Sequence, residues 1–228
     1  MVAMVFLAVF FGKRYRHASY KQKNKVLIAA AIIIDSFETA KVIIACILEG
    51  SAEPVGRMLP LFLCGIQLVA IPVAAFSRGR FKYAALDFVL IFGILGAVLG
   101  VYAAAQNYNA YPVLSWPNIV SGITHSVSGF ASLYILFSGM ADMKKRNVPI
   151  CLAILSTYCV LAFTANRILG YNYMFLEQGD GTPYDILYNL VGGNPILYPL
   201  CVVALFFLYI TVFYLVYTAI LRKRAKGA

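Results

Sequence analysis

Apolar residues fill seven stretches of the chain, at about 1–12, 26–48, 58–76, 83–105, 118–140, 150–170 and 196–221, with short polar connections between them. Six reach the roughly 20 residues that a helix needs to cross a bilayer. The first rises only about 18 Å as a helix, so it is expected to be a truncated span or an interfacial piece. The pattern predicts an all-α polytopic membrane bundle of seven transmembrane helices, the first one short. It forms a single transmembrane domain over residues 1–228.

Composition sharpens that reading. Hydrophobic residues make up 62% of the chain and charged residues 12%, with a mean hydropathy of +0.81, far from a soluble domain. The net charge of +10 suggests nucleic acid only until the basic residues are located. Lys13, Arg14, Arg16, Lys21, Lys23 and Lys25 follow the first stretch, and Arg78, Arg80 and Lys82 the third. Lys144, Lys145 and Arg146 follow the fifth, and Arg222, Lys223, Arg224 and Lys226 the seventh. These are alternate connections, so the excess of positive charge makes them cytoplasmic, with the N-terminus outside and the C-terminus inside. Nucleic acid is thereby excluded as a partner. The opposite connections carry Arg57 against Glu49, Glu53, Glu177 and Asp180.

The five cysteines, Cys46, Cys64, Cys151, Cys159 and Cys201, all lie in apolar stretches without CxxC spacing. No metal site and no disulfide framework is indicated, and no nucleotide or cofactor fingerprint occurs. The longest irregular stretch, 171–195, falls on the outside. Its aromatic residues suit a lid in the lipid interface, with Asn172 and Tyr173 at the hinge end.

An ionisable group at the bilayer centre costs roughly 2.5–3.5 kcal/mol even on lenient scales, so each one calls for an explanation. The second stretch carries Asp35, Glu38 and Lys41, which three-residue steps put on one helical face. The third carries Cys64 and Gln67, the fourth Asp87, the fifth Ser121, Thr124, His125 and Ser128, and the sixth Asn166 and Arg167. Counted from the outer ends at helical rise, Cys64 lies roughly 9 Å deep and His125 roughly 10 Å. A thiol and an imidazole at matched depth can act as nucleophile and general base. Lys41 and Glu38 count to roughly 10 and 15 Å, and Asn166 and Arg167 lie within about 6 Å of their helix exit. One outer-leaflet pocket is expected to hold them all. Glu38 and Lys41 also fit a self-neutralised pair, Asp87 a structural ion pair, and Ser121, Gly122, Ser128, Gly129 and Ser132 close helix packing.

The run Leu59-Pro60-Leu61-Phe62-Leu63-Cys64-Gly65-Ile66 resembles the "LPL-x-LC-x-I" signature of the bacterial YwaF-like integral membrane proteins, whose animal relative is transmembrane protein 164. Glu38, His125, Asn166 and Gly170-Tyr171-Asn172-Tyr173-Met174-Phe175-Leu176 match the family in the same order. Phe62 stands where a polar residue is expected, and Gly65 replaces a more usual Asn or Ser. The resemblance implies a phospholipid acyltransferase of the bacterial plasma membrane that works without coenzyme A or another cofactor, its partners being membrane phospholipids and lysophospholipids. It implies Cys64 as nucleophile with His125 beside it. Glu38, Lys41, Asn166, Arg167, Asn172 and Tyr173 are then the candidates for substrate binding or oxyanion stabilisation. A lipid hydrolase with the same Cys–His pair is the nearest alternative. A transporter or channel built on Glu38, Lys41, His125 and Arg167 is the alternative from another class.

Overall fold

The computed structural model describes residues 1–102 and 112–226; the end of the fourth apolar stretch, 103–105, lies outside them. Regular structure among the described residues is entirely helical. It comprises α1 (Val2–Tyr15), α2 (Tyr20–Glu49), α3 (Glu53–Arg57), α4 (Gln67–Phe76), α5 (Gly79–Tyr102), α6 (Trp116–Ser138), α7 (Val148–Leu169), α8 (Asp185–Leu190) and α9 (Leu197–Lys226). Two 3-10 turns, Lys145–Asn147 and Tyr173–Phe175, accompany them. Among the described residues four segments are long and apolar enough to cross a membrane by length and composition: Gly79–Gly100, Trp116–Ser138, Lys145–Leu169 and Leu197–Lys223. The 30-residue α2 is interrupted by Asp35, Glu38 and Lys41, and α1 has 14 residues. An all-helical integral membrane protein follows from these elements.

The third apolar stretch departs most from expectation. A continuous helix was predicted from 58 to 76, but only Gln67–Phe76 is helical, and 58–66 forms a chain of turns. Pro60 supplies no N–H and biases Leu59 away from helical dihedrals, so hydrogen bonding restarts locally. Leu61 N–H donates to the Leu59 carbonyl (2.7 Å), Ile66 N–H to that of Phe62 (3.1 Å) and Gln67 N–H to that of Cys64 (3.4 Å). Helical rise therefore does not measure the depth of Cys64, which belongs to the turns.

The chain forms two compact units, Met1–Asp142 and Met143–Ala228. In the first, α6 packs against α1, α2 and α5, and α4 against α2 and α5. The α5–α6 contact is close. A Cβ on Gly93 would stand 2.7 Å from Ser132 Cβ and 2.9 Å from the Ser128 carbonyl oxygen, and Ser132 Oγ donates to the Leu90 carbonyl at 2.6 Å. Gly129 meets Met4 of α1 in the same way. These small residues act as packing residues, since backbones can approach only where side chains are absent; Gly122 faces open space. Asp87 is fully buried and accepts the Asp142 amide at 3.1 Å, a structural role. Lys82, the basic residue five positions before Asp87, turns to Asn24 Oδ1, the Ala75 carbonyl and the Tyr20 ring.

In the second unit α7 and α9 pack together, with Cys151 Sγ 3.4 Å from Tyr214 Oη. The stretch after α7 is folded rather than loose. Asn166, near the end of α7, donates Nδ2 to the Tyr173 carbonyl (3.1 Å) and accepts the Tyr173 amide (2.7 Å). Phe175 stacks on Tyr184, which meets Phe206 edge-on.

Candidate functional site

The turns before α4 set Cys64 at the mouth of a short helix. At membrane depth, non-helical backbone persists only where protein surrounds it or it lines a polar cavity, because lipid offers no hydrogen bonds. The unwound stretch therefore marks a built feature. Of the five cysteines, Cys64 alone is exposed; Cys151 and Cys159 are buried and the other two intermediate. A nucleophilic thiol has to be reachable, whereas an apolar filler does not.

Helix α5 brings Cys64 and His125 to one line. A Cβ on Gly96 would lie 3.8 Å from Cys64 Cα and 3.9 Å from its Cβ, and one on Gly100 would fall within the His125 ring. These glycines are four residues apart, so they lie on one face and about 6 Å apart along the axis. The thiol-bearing turn and the imidazole thus dock on successive turns of α5. His125 projects from α6, which starts at Trp116-Pro117 with the proline in the first turn, where its missing N–H does no harm. Among the described residues no hydrogen bond joins Cys64 to His125; such catalytic contacts often tighten only when substrate binds.

Glu38 and Lys41 form an ion pair at 2.5 Å, each 17% exposed. Their charges act on both Cys64 and His125. Four of the residues singled out in the sequence therefore share one neighbourhood of the first unit. The pair neutralises itself, which fits a fastening of α2, and still polarises the thiol–imidazole region.

The other four, Asn166, Arg167, Asn172 and Tyr173, belong to the second unit and are engaged with each other's loop. Asn166 has both ends of its amide on Tyr173, and Asn172 donates to the Gln178 carbonyl (2.9 Å) while accepting the Glu177 amide (3.0 Å). Arg167 pairs with Glu177 at 3.3 Å and lies over the Phe163 ring. Tyr173 and Met174 are fully buried, and the latter has a φ of 56°. Burial and the neighbouring Tyr171 raise the Tyr173 phenol, and burial pushes Tyr184 up to about 12, so both stay neutral donors at physiological pH.

Sequence reading passed over two residues here and named a third, Gln67, without giving it a role. Gly96 and Gly100 carry a small-xxx-small spacing that could have flagged them. Gln67, at the start of α4, is fully buried, and among the described residues neither end of its amide is hydrogen-bonded. Among the described residues no group of three or more His, Cys, Asp or Glu is placed to hold a metal ion.

The profile of the TMEM164 family matches residues 1–217. No curated protein and no solved structure matches the chain. The protein belongs to the TMEM164 family, as the residues around Cys64 led one to expect.

Proposed function

We propose that this member of the TMEM164 family is a membrane-embedded acyltransferase that moves a fatty acyl chain between phospholipids through a thioester on Cys64, without coenzyme A. The observation that carries the reading is the placement of the one exposed cysteine on an unwound turn, one α5 turn from His125. The seven apolar stretches and the alternation of basic connections support seven crossings, N-terminus outside and C-terminus cytoplasmic, in a bacterial plasma membrane.

In the first half-reaction His125 takes the Cys64 proton and the sulfur attacks the ester carbonyl of a phospholipid, forming the C–S bond while the carbonyl electron pair moves to oxygen. Collapse of that intermediate breaks the C–O ester bond. The departing lysophospholipid alkoxide takes the proton from His125, leaving the acyl-thioester. In the second half-reaction His125 removes the proton of an incoming lysophospholipid hydroxyl, whose oxygen attacks the thioester, and the thiolate leaves and is reprotonated. With water as acceptor the same steps make a hydrolase. Glu38 and Lys41 set the potential in which the imidazole becomes charged and neutral again.

The test is intact mass after incubation of the purified protein with phospholipid alone. An acyl adduct on Cys64, removed by hydroxylamine and absent from Cys64→Ala, is expected. Acylation only with acyl-coenzyme A, or turnover undiminished in Cys64→Ala, overturns the mechanism; the second result favours transport or assembly.

A further inference from the structure

The thioester chemistry needs donors for the oxygen that becomes negative, and the first unit holds three without another use. Among the described residues neither the Cys64 nor the Gly65 amide donates to a backbone carbonyl. Their neighbours are engaged, since Ile66, Gln67 and Leu68 donate to the carbonyls of Phe62, Cys64 and Gly65. The turn is held in this shape by close backbone contact: a Cβ on Gly65 would stand 3.1 Å from Pro60 Cα and 3.2 Å from its carbonyl carbon. One turn on, Gln67 is sealed from solvent with both amide atoms unbonded. A buried, unpaired carboxamide costs about 1–3 kcal/mol on mutational scales, and groups of this kind mark a partner or a function. Because Gln67 N–H bonds the Cys64 carbonyl at 3.4 Å, the base of its side chain lies beside the thiol-bearing turn. Opening α4, these donors also stand at the positive end of a helix dipole.

We infer that the Gly65 and Cys64 amides and the Gln67 side-chain Nε2 form the oxyanion hole of the Cys64 thioester chemistry. Gln67 is a catalytic residue in this arrangement, touching the carbonyl oxygen as it gains charge, and its unpaired burial is the stability cost of a preorganised donor. The inference rests on Cys64 being the nucleophile.

Two reactions of Cys64 separate the roles. Alkylation by iodoacetamide displaces iodide and builds no oxyanion, whereas acylation by p-nitrophenyl octanoate passes through a tetrahedral oxyanion. In the full-length protein in vesicles, Gln67→Met keeps the volume and removes the donor. It should alkylate at the wild-type rate, melt no lower than wild type, and acylate about 10²-fold more slowly, the usual cost of one oxyanion donor. Gly65→Ala, which displaces the backbone amide, should show the same split and is the independent arm if Gln67→Met does not fold. Acylation within about threefold of wild type in either folded variant overturns the oxyanion hole. If Cys64→Ala acylates as wild type does, the nucleophile itself is wrong, and that result is distinct from the first.

Discussion

Two breaks in the helical pattern, at 58–66 before α4 and at 170–178 after α7, look alike in sequence: each holds two turn formers, Pro60 and Gly65 in one and Gly170 and Asn172 in the other, and is set beside polar residues. They differ in what their polar groups do. After α7 the amides of Asn166 and Asn172 and the guanidinium of Arg167 are all engaged within their own loop. Before α4, among the described residues, neither the Cys64 nor the Gly65 amide donates to a backbone carbonyl and the carboxamide of Gln67 has no hydrogen-bond partner. Side chains engaged within their own loop hold a fold together, while preorganised but unengaged donors are available to a ligand. The comparison assigns structure to the break after α7 and chemistry to the break before α4.

Removing the thiol should break that contrast most completely. Cys64→Ala is expected to lose acyl transfer by about 10³-fold or more, as for other single nucleophiles, whereas Cys151→Ser and Cys159→Ser stay within severalfold when assayed by lipid mass spectrometry. His125→Ala should cost about 10²–10⁴-fold. Gly100→Ala forces a methyl into the space of the ring and should approach 10²-fold, the scale of a 1 Å misplacement. Its signature is a lower kcat at unchanged KM; wild-type kcat in Gly100→Ala would show that α5 does not position His125.

The loop after α7 predicts the opposite phenotype. Asn166→Ala takes the Asn166 acceptor from the Tyr173 amide, at about 1–3 kcal/mol, while the Tyr173 carbonyl keeps the Leu176 amide at 3.3 Å, so thermal stability should fall while turnover per folded molecule holds. A collapse of kcat at unchanged stability would instead return Asn166 to the oxyanion role that its sequence position suggested.

Smaller effects come from the ion pairs. Lys41→Met strands the partly covered Glu38 carboxylate and should destabilise more than the double change with Glu38→Gln. Arg57, which bonds Glu49 (2.6 Å) and Glu53 (3.0 Å) at exposed positions, should contribute only about 0.2–1 kcal/mol per pair and less in high salt, as denaturation of Arg57→Ala would show.

Much of this was legible along the chain. Apolar run lengths gave the helical membrane class, because burying a peptide backbone in lipid allows few alternatives. The scarcity of ionisable groups in those runs singled out Cys64, His125, Glu38 and Lys41, whose neighbourhood the fold then gathers. The interruption at 58–66 was signalled by Pro60, but hydropathy weighs side chains and is blind to backbone hydrogen bonds, so the stretch read as a helix. Asn166 and Asn172 read as open donors for a related reason: a carboxamide looks the same in sequence whether its partners are backbone atoms five to seven residues away or a substrate.

The sequence by itself determined which segments are apolar, which connections are basic, and which few side chains carry reactive or charged groups, since those properties belong to residues one at a time. Only the tertiary structure decided which polar groups remain unengaged. That depends on pairs: Gly100 against His125, Pro60 against Gly65, Asn166 against Tyr173. A hydrogen bond or a steric contact exists only once two positions are brought within a few ångströms, and nothing at either position alone records it.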